Sequence, residues 1–198
     1  MNRITATSLE DNTAWRRALR RDMAARRQAL APAEYAELSA RLVAALLATL
    51  PLEAGAVVGF CWPVKNEPDV RPALAAWRQR GIAAALPVVV AANAPLAFRA
   101  WLPDTPLAPD RYGIPTPTSG AWIAPSVLLL PLNAFDGAGY RLGYGGGYFD
   151  RTLAALTPRP LAVGVGFELN RVDSIRPQAH DQRLDWIVTE AGARQPEF

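Results

Sequence analysis

The spacing of apolar residues changes period several times along this chain. From Ala14 to about Leu30, Trp15, Leu19 and Met23 recur at spacing four with arginines between them, which predicts an amphipathic helix. A second helix follows Pro32, a residue tolerated in a first turn, and carries Tyr35, Leu38, Leu42, Val43, Leu46 and Leu47 before stopping ahead of Pro51. The run Ala56–Cys61 is too short for a helix and rich in β-branched residues, so it reads as a buried strand, with a loop from Trp62 to Pro68 after it. Residues Arg71–Arg80 look helical, Gly81 interrupts them, and Ala83–Val90 and Leu96–Trp101 read as further strands. Val127–Pro131, Leu161–Phe167 and Trp186–Thr189 complete the strand set, with a helix starting within Gly147–Leu156.

This alternation predicts an α/β fold with a mixed or largely parallel sheet, helices on both faces and ligands beyond the strand ends. The whole of 1–198 reads as one domain, with residues 1–12 and 191–198 as flexible tails. Between Leu102 and Pro125 stand Pro103, Pro106, Pro109, Pro115, Pro117 and Pro125, too many for regular structure. The segment is expected to be an ordered loop that covers a site.

Composition narrows the chemistry. Apolar residues make up 51% and charged residues 20%, ordinary globular usage, and the apolar runs are far shorter than a membrane span. No charged start leads into an apolar signal segment, so the expected location is the cytoplasm, with no membrane partner. The single cysteine, Cys61, and the single histidine, His180, exclude a disulfide within the chain and argue against zinc. Cys61 lies in an apolar run and is expected in the core.

The net charge of +3 is unevenly spread, because seven arginines fall in the first thirty residues against Glu10, Asp11 and Asp22. Such a patch suits a polyphosphate or a nucleic acid equally well. Lys65 is the only lysine, which makes Schiff-base chemistry improbable and points to a general use of arginine in place of lysine.

The most informative stretch runs from Pro131 to Arg151, where Gly143, Gly145, Gly146 and Gly147 are four glycines within five residues. Glycine allows positive φ and close backbone approach, so successive amides can converge on a phosphate oxygen ahead of a helix. The cluster lacks the Gly-Lys-Ser/Thr ending of a P-loop and the spacing of a dinucleotide fingerprint, and by itself it could be a turn. Its neighbours add weight: Arg141 can clamp phosphate, Tyr148 or Phe149 can pack on a flat heterocycle, and Asp150 can hold Mg²⁺.

Arg141-Leu-Gly-Tyr-Gly-Gly-Gly-Tyr-Phe-Asp-Arg151, preceded by Pro131-x-x-Ala-Phe-Asp136, resembles the ATP-binding signature of the 5-formyltetrahydrofolate cyclo-ligase family. The resemblance extends from Trp15 to Glu190 through Leu19-Arg20, Glu67, Ile114-Pro115-x-Pro117 and His180-Asp181…Asp185. It implies a three-layer α/β sandwich with a mixed, largely parallel central sheet, similar to the ribose-phosphate isomerase and CoA-transferase architecture. It also implies ATP as co-substrate, Mg²⁺ as cofactor and 5-formyltetrahydrofolate as substrate, with 5,10-methenyltetrahydrofolate, ADP and phosphate as products.

Carried over residue by residue, the resemblance assigns Arg16, Arg20, Arg141, Leu142, Gly143, Tyr144, Gly145, Gly146, Gly147, Tyr148 and Phe149 to ATP. Trp62, Glu67, Tyr144 and Tyr148 fall to the folate, and Asp150 with Asp181 to the metal, Asp185 being the second choice. Glu67, Arg141 and Asp150 are the expected catalytic residues, while His180 is expected only to order its loop. Two positions depart from the pattern: Phe149 stands where the family has tyrosine, and Arg16 where it has lysine. A protein that keeps the fold without the turnover is the alternative. Nucleic-acid binding by the basic helix would leave Glu67, Asp150 and Asp181 without a role, and no obligate protein partner is evident.

Overall fold

The computed structural model describes residues 6–197. Helices α1 (Ala6–Gln28) and α2 (Pro32–Thr49) lead into strand β1 (Val57–Gly59), helix α3 (Arg71–Arg78) and strands β2 (Ala83–Val88) and β3 (Ala97–Trp101). The short strands β4 (Leu107–Pro109) and β5 (Pro115–Pro117) precede β6 (Val127–Pro131), and β7 (Ala134–Phe135) and β8 (Arg141–Leu142) follow it. Helix α4 (Tyr148–Ala155), β9 (Leu161–Val165), a 3-10 turn (Glu168–Asn170), β10 (Trp186–Thr189) and β11 (Gly192–Arg194) complete the chain.

The main sheet has seven strands in the order β11-β10-β9-β6-β1-β2-β3. Its five inner strands run parallel, and the edge strands β3 and β11 run antiparallel to their neighbours. Because β6 alternates between two buried faces, Val127 and Leu129 join one apolar cluster and Leu128 and Leu130 the other. On the first face α2 lays down Leu42 and Leu46, and α3 adds Leu74 and Trp77. The second face is covered by Leu153 of α4 together with Leu132, Phe135 and Leu184. Helices therefore flank the sheet on both sides, as the alternation of elements predicts.

Local chemistry sets the element ends. Pro32 opens α2 after an extended Ala31, and the Leu50 N–H returns to Leu46 O as the chain turns into Pro51. Helix α4 starts at Gly147, whose φ of +64° is a left-handed conformation that side chains with a Cβ rarely adopt. Helix α1 begins at Ala6 and β11 forms an edge strand, each within a segment expected as a tail; residues 1–5 and 198 lie outside the described residues.

Chain order places the site. β1 leads to β2 on one side, and the chain then returns to β6 on the other, so the connections diverge between β1 and β6. In such sheets a crevice opens beyond the carboxyl ends of the strands at that point. Over it lies α1, which contacts the 3-10 turn and β7 and shares a small apolar cluster of Met23 with Ala134, Leu142 and Ile175. The Pro-rich segment is more regular than expected: β4 and β5 pair into a hairpin with its turn at Asp110–Ile114.

Gly59, in β1 beside the divergence point, has no room for a side chain. A Cβ there would lie 2.6 Å from Leu128 Cδ2 and 3.0 Å from Phe98 Cε1. Gly59→Ala is expected to destabilise the fold by about 1–3 kcal/mol through overpacking, measured as a lower urea midpoint at unchanged slope.

Candidate active site

Three strand ends supply the walls of a small pocket. Cys61, Pro63, Glu67, Pro68 and Val70 follow β1, Leu129 lies within β6 and Pro131 ends it, and Val165 ends β9. Cys61 thus lines this pocket rather than the core. Burial pushes its thiol up, so it stays protonated at neutral pH and is no nucleophile.

Helix α1 faces this end of the sheet with Arg16, Arg20, Met23 and Arg27, one helical stripe at steps of four, three and four. Arg16 and Arg27 are buried, while Arg17, Arg21 and Arg26 are exposed. The stripe of Trp15, Leu19 and Met23 is therefore only part of the inward face. Arg16 donates two bonds to Asp181, at 2.9 and 3.0 Å. Arg20 Nε donates to Gly143 O at 2.7 Å, and its guanidinium stands against Gly145. Burial pushes the Arg20 guanidinium down, with Arg16 adding to the effect. Two cations pressed together under a glycine loop favour an anion above them.

That loop projects its backbone outward. Tyr144, Gly145 and Gly146 are exposed, and Arg151 donates to Gly146 O from the first turn of α4. Buried Arg141 supports the loop from below, donating to Asp150 Oδ1 and Gln182 O, both at 3.2 Å. Burial pushes its guanidinium down against the pull of Asp150. Leu142 is fully buried among core residues and Phe149 packs on the second apolar cluster.

Tyr144 links this loop to the pocket. The residue is 47% exposed, yet its hydroxyl turns inward and donates to Glu67 Oε1 at 2.5 Å. Glu67 is itself buried and accepts the Val64 N–H at 3.1 Å through its other oxygen. Burial pushes the carboxyl up, opposed by the Tyr144 and Val64 bonds and by the charges of Arg27 and Lys65. Burial and the carboxylate likewise push the Tyr144 hydroxyl up, so it remains a donor.

The expected acids separate into two groups. Asp150 Oδ1 also accepts the Gln182 N–H, and Asp181 Oδ2 the Gln178 N–H, so both carboxylates stand beside Arg141 and below the loop. No cluster of three His, Cys, Asp or Glu side chains suited to a metal occurs among the described residues. Two carboxylates held by guanidinium groups suit Mg²⁺ that shares its oxygen ligands with a nucleotide, because such ions use few protein ligands. Asp185, the second choice, lies elsewhere: it accepts from Arg159 and the Ala162 N–H, at the amino-terminal end of β9. His180 is solvent-exposed, 3.8 Å from Asp181.

The rim carries aromatic residues. Tyr148 meets the tip of the β4–β5 hairpin, its hydroxyl bonded to Arg111 and 3.1 Å from that of Tyr112. Trp62 stands outside the pocket wall, between the Arg71 guanidinium and the Trp101 ring. Sequence reasoning missed Arg27, Tyr35, Arg111, Tyr112 and Asn133. Arg27 alone left a signal, the helical spacing it shares with Arg16 and Arg20.

Residues 12–190 match the family model described as the 5-formyltetrahydrofolate cyclo-ligase family. The chain is similar to the 5-formyltetrahydrofolate cyclo-ligase of Escherichia coli, 29% identical over 83% of this chain and 94% of that one. In its match to the Haemophilus influenzae cyclo-ligase it spans about half of that relative, 36% identical over 45% of this chain and 51% of the other. The 5,10-methenyltetrahydrofolate synthetase of Aquifex aeolicus superposes with a TM-score of 0.77 at 27% identity, covering 92% of this chain and 93% of its own.

Because burial raises the Glu67 pKa, folding favours its protonated form. That contribution is complete below the unfolded-state value and is lost as pH rises through the folded one. The stability of Glu67→Gln relative to the parent is therefore expected to increase as pH rises above the ordinary carboxylate range, measured by thermal unfolding in matched buffers.

Proposed function

Since the chain belongs to the 5-formyltetrahydrofolate cyclo-ligase family, we propose that it converts 5-formyltetrahydrofolate and ATP to 5,10-methenyltetrahydrofolate, ADP and phosphate. The observation that carries this reading is the 2.5 Å bond from Tyr144 to Glu67. It joins a loop suited to phosphates to a carboxylate at the mouth of a pocket, so two reactants bound on either side would meet at Tyr144.

A formamide carbon is a weak electrophile and its oxygen a poor leaving group. Attack of the formyl oxygen on the γ-phosphorus breaks the bond to ADP and leaves an iminium phosphate. Nitrogen 10 then attacks the activated carbon and loses its proton to solvent, and phosphate departs with the carbon–oxygen electron pair as the ring closes. Such transfers need alignment and charge compensation more than covalent help from the protein.

The amides of Gly143, Gly145, Gly146 and Gly147 cradle the phosphates, with Arg16, Arg20 and Arg141 supplying positive charge. Glu67 orients the pterin side through an N–H donor, and the exposed ring of Tyr144 separates the two ligands. Tyr148 and Trp62 flank the folate, while Leu142 and Phe149 hold the loop by packing. Asp150 and Asp181 would hold Mg²⁺, which when bound offsets charge on the phosphoryl group being transferred. The protein acts in the cytoplasm without nucleic acid or an obligate protein partner. No helix among the described residues is long and apolar enough to cross a membrane.

A second reading, binding without turnover, is favoured by one feature: Arg16, where the family has lysine, is already engaged by both oxygens of Asp181. In the first reading, arriving phosphates draw Arg16 away and leave Asp181 to the metal.

Purified protein with 5-formyltetrahydrofolate and Mg-ATP is expected to develop the near-ultraviolet absorbance of the methenyl product, and to lose it without ATP or Mg²⁺. Product formed without nucleotide would remove the ATP-driven mechanism, and binding of both ligands without product would favour the second reading. Asp150→Asn is expected to lower turnover on the order of 100-fold, the scale of charge stabilisation by a metal, and also to lower the melting temperature because the buried Arg141 loses its charged partner. Arg16→Ala is expected to raise the KM for ATP about tenfold and Arg16→Lys much less, with the folate KM nearly constant in steady-state assays.

A further inference from the structure

Arg27 is 1% exposed and among the largest fully buried side chains of the protein. Its fork reaches only neutral oxygens: Nε donates to Lys65 O at 2.9 Å, and both terminal nitrogens lie 3.3 Å from Asn133 Oδ1. No carboxylate pairs with it among the described residues. A buried guanidinium without an ion partner is costly unless a neighbouring negative charge offsets it.

Its two contacts are informative. Lys65 and Asn66 both adopt positive φ, 52° and 56°, a conformation that non-glycine residues enter at a cost and keep only under outside constraint. Glu67 follows directly. Arg27 holds the carbonyl of the first left-handed residue, and the Asn66 amide returns to Arg27 O at 3.4 Å. Tyr35 of α2 donates to Glu67 O at 2.9 Å, fixing the far side of the turn. Asn133 is locked in its place because Asn170 donates to its carbonyl at 2.9 Å.

We propose that Arg27 is a positioning residue for Glu67: its fork holds the doubled left-handed turn, and its buried charge opposes protonation of the neighbouring carboxylate. The role of Glu67 toward folate rests on the function proposed above; the control of its charge by Arg27 does not. The charged and titratable groups facing Glu67 are Arg27 of α1, Lys65 of its own loop, Tyr144 of the glycine loop, Tyr35 of α2 and Cys61 after β1. Tyr144, Tyr35 and Cys61 are neutral at working pH. Lys65 is exposed, and its ammonium stands 5.8 Å from the Tyr144 ring, where solvent screens it. The cation that acts on Glu67 without screening is Arg27.

The test is a carboxyl ¹³C NMR titration of the full chain, with the Glu67 resonance assigned by its loss in Glu67→Gln, run on the parent, Arg27→Gln, Arg27→Lys and Lys65→Ala. The Glu67 midpoint is expected to rise in Arg27→Gln and to stay near the parent value in Arg27→Lys and Lys65→Ala. An unmoved midpoint in folded Arg27→Gln, or a rise in Lys65→Ala, overturns the electrostatic role. Should Arg27→Gln fail to fold, Arg27→Lys decides, because it keeps the charge and gives up the fork. Its KM for 5-formyltetrahydrofolate should increase about tenfold, the scale of one lost bond to a charged group, with the ATP constant within about twofold. A parent-like folate constant in Arg27→Lys overturns the holding role. A parent protein without turnover would refute the proposed function and leave the titration to judge Arg27.

Discussion

The burial of one arginine-lined helix face over the carboxyl ends of a parallel sheet is the constraint on which the site depends. A guanidinium removed from water must find acceptors, since leaving it unmatched costs several kcal/mol, on the order of the stability margin of a small protein. Each inward arginine of α1 therefore recruits a different segment. Arg16 takes Asp181 from the loop before β10, Arg20 takes the Gly143 carbonyl, and Arg27 takes the Lys65 carbonyl and Asn133. Three loops that leave separate strand ends are tied to one rigid helix. Met23 and Leu19 add only a small apolar cluster to this union.

The same arrangement sets the charge of the site. Burial pushes Arg20 and Arg141 beneath the glycine loop toward the neutral form, and Arg16 adds to the effect on Arg20, which makes an arriving anion favourable there. On the pocket side, burial works the opposite way on Glu67 and raises its affinity for a proton. Tyr144 spans the two halves, with a donor hydroxyl directed to Glu67 and a ring open to solvent. The donors and the buried cation around Glu67 offset part of that burial effect. The geometry of the turn and the protonation of its carboxylate are controlled by the same neighbours.

At the rim, the paired strands β4 and β5 bring the adjacent Arg111 and Tyr112 to Tyr148, which lies far along the chain from them. The hairpin itself forms despite its prolines, because Pro109 and Pro115 face each other at its inner end and Pro117 at its outer end, in strands with no further neighbour.

The sequence determined by itself what depends on neighbours along the chain. Periodicity located the helices and the five parallel strands, because each buried face needs apolar residues at the repeat of its own element. The run from Pro131 to Arg151 carried the family resemblance, since a phosphate-binding backbone needs glycines at fixed spacing. What remained for the tertiary structure were choices among equal candidates. Asp181 and Asp185 are alike as sequence; only the fold puts one beside Arg16 and the other at the far end of β9. Arginines 16, 17, 20, 21, 26 and 27 are alike too, and burial selects Arg16 and Arg27. The edge strand β11 and the paired strands β7 and β8 were missed because two- or three-residue segments have no period to read. Partner choice for a charge depends on distance through space and on exclusion of water, and neither is written in local order.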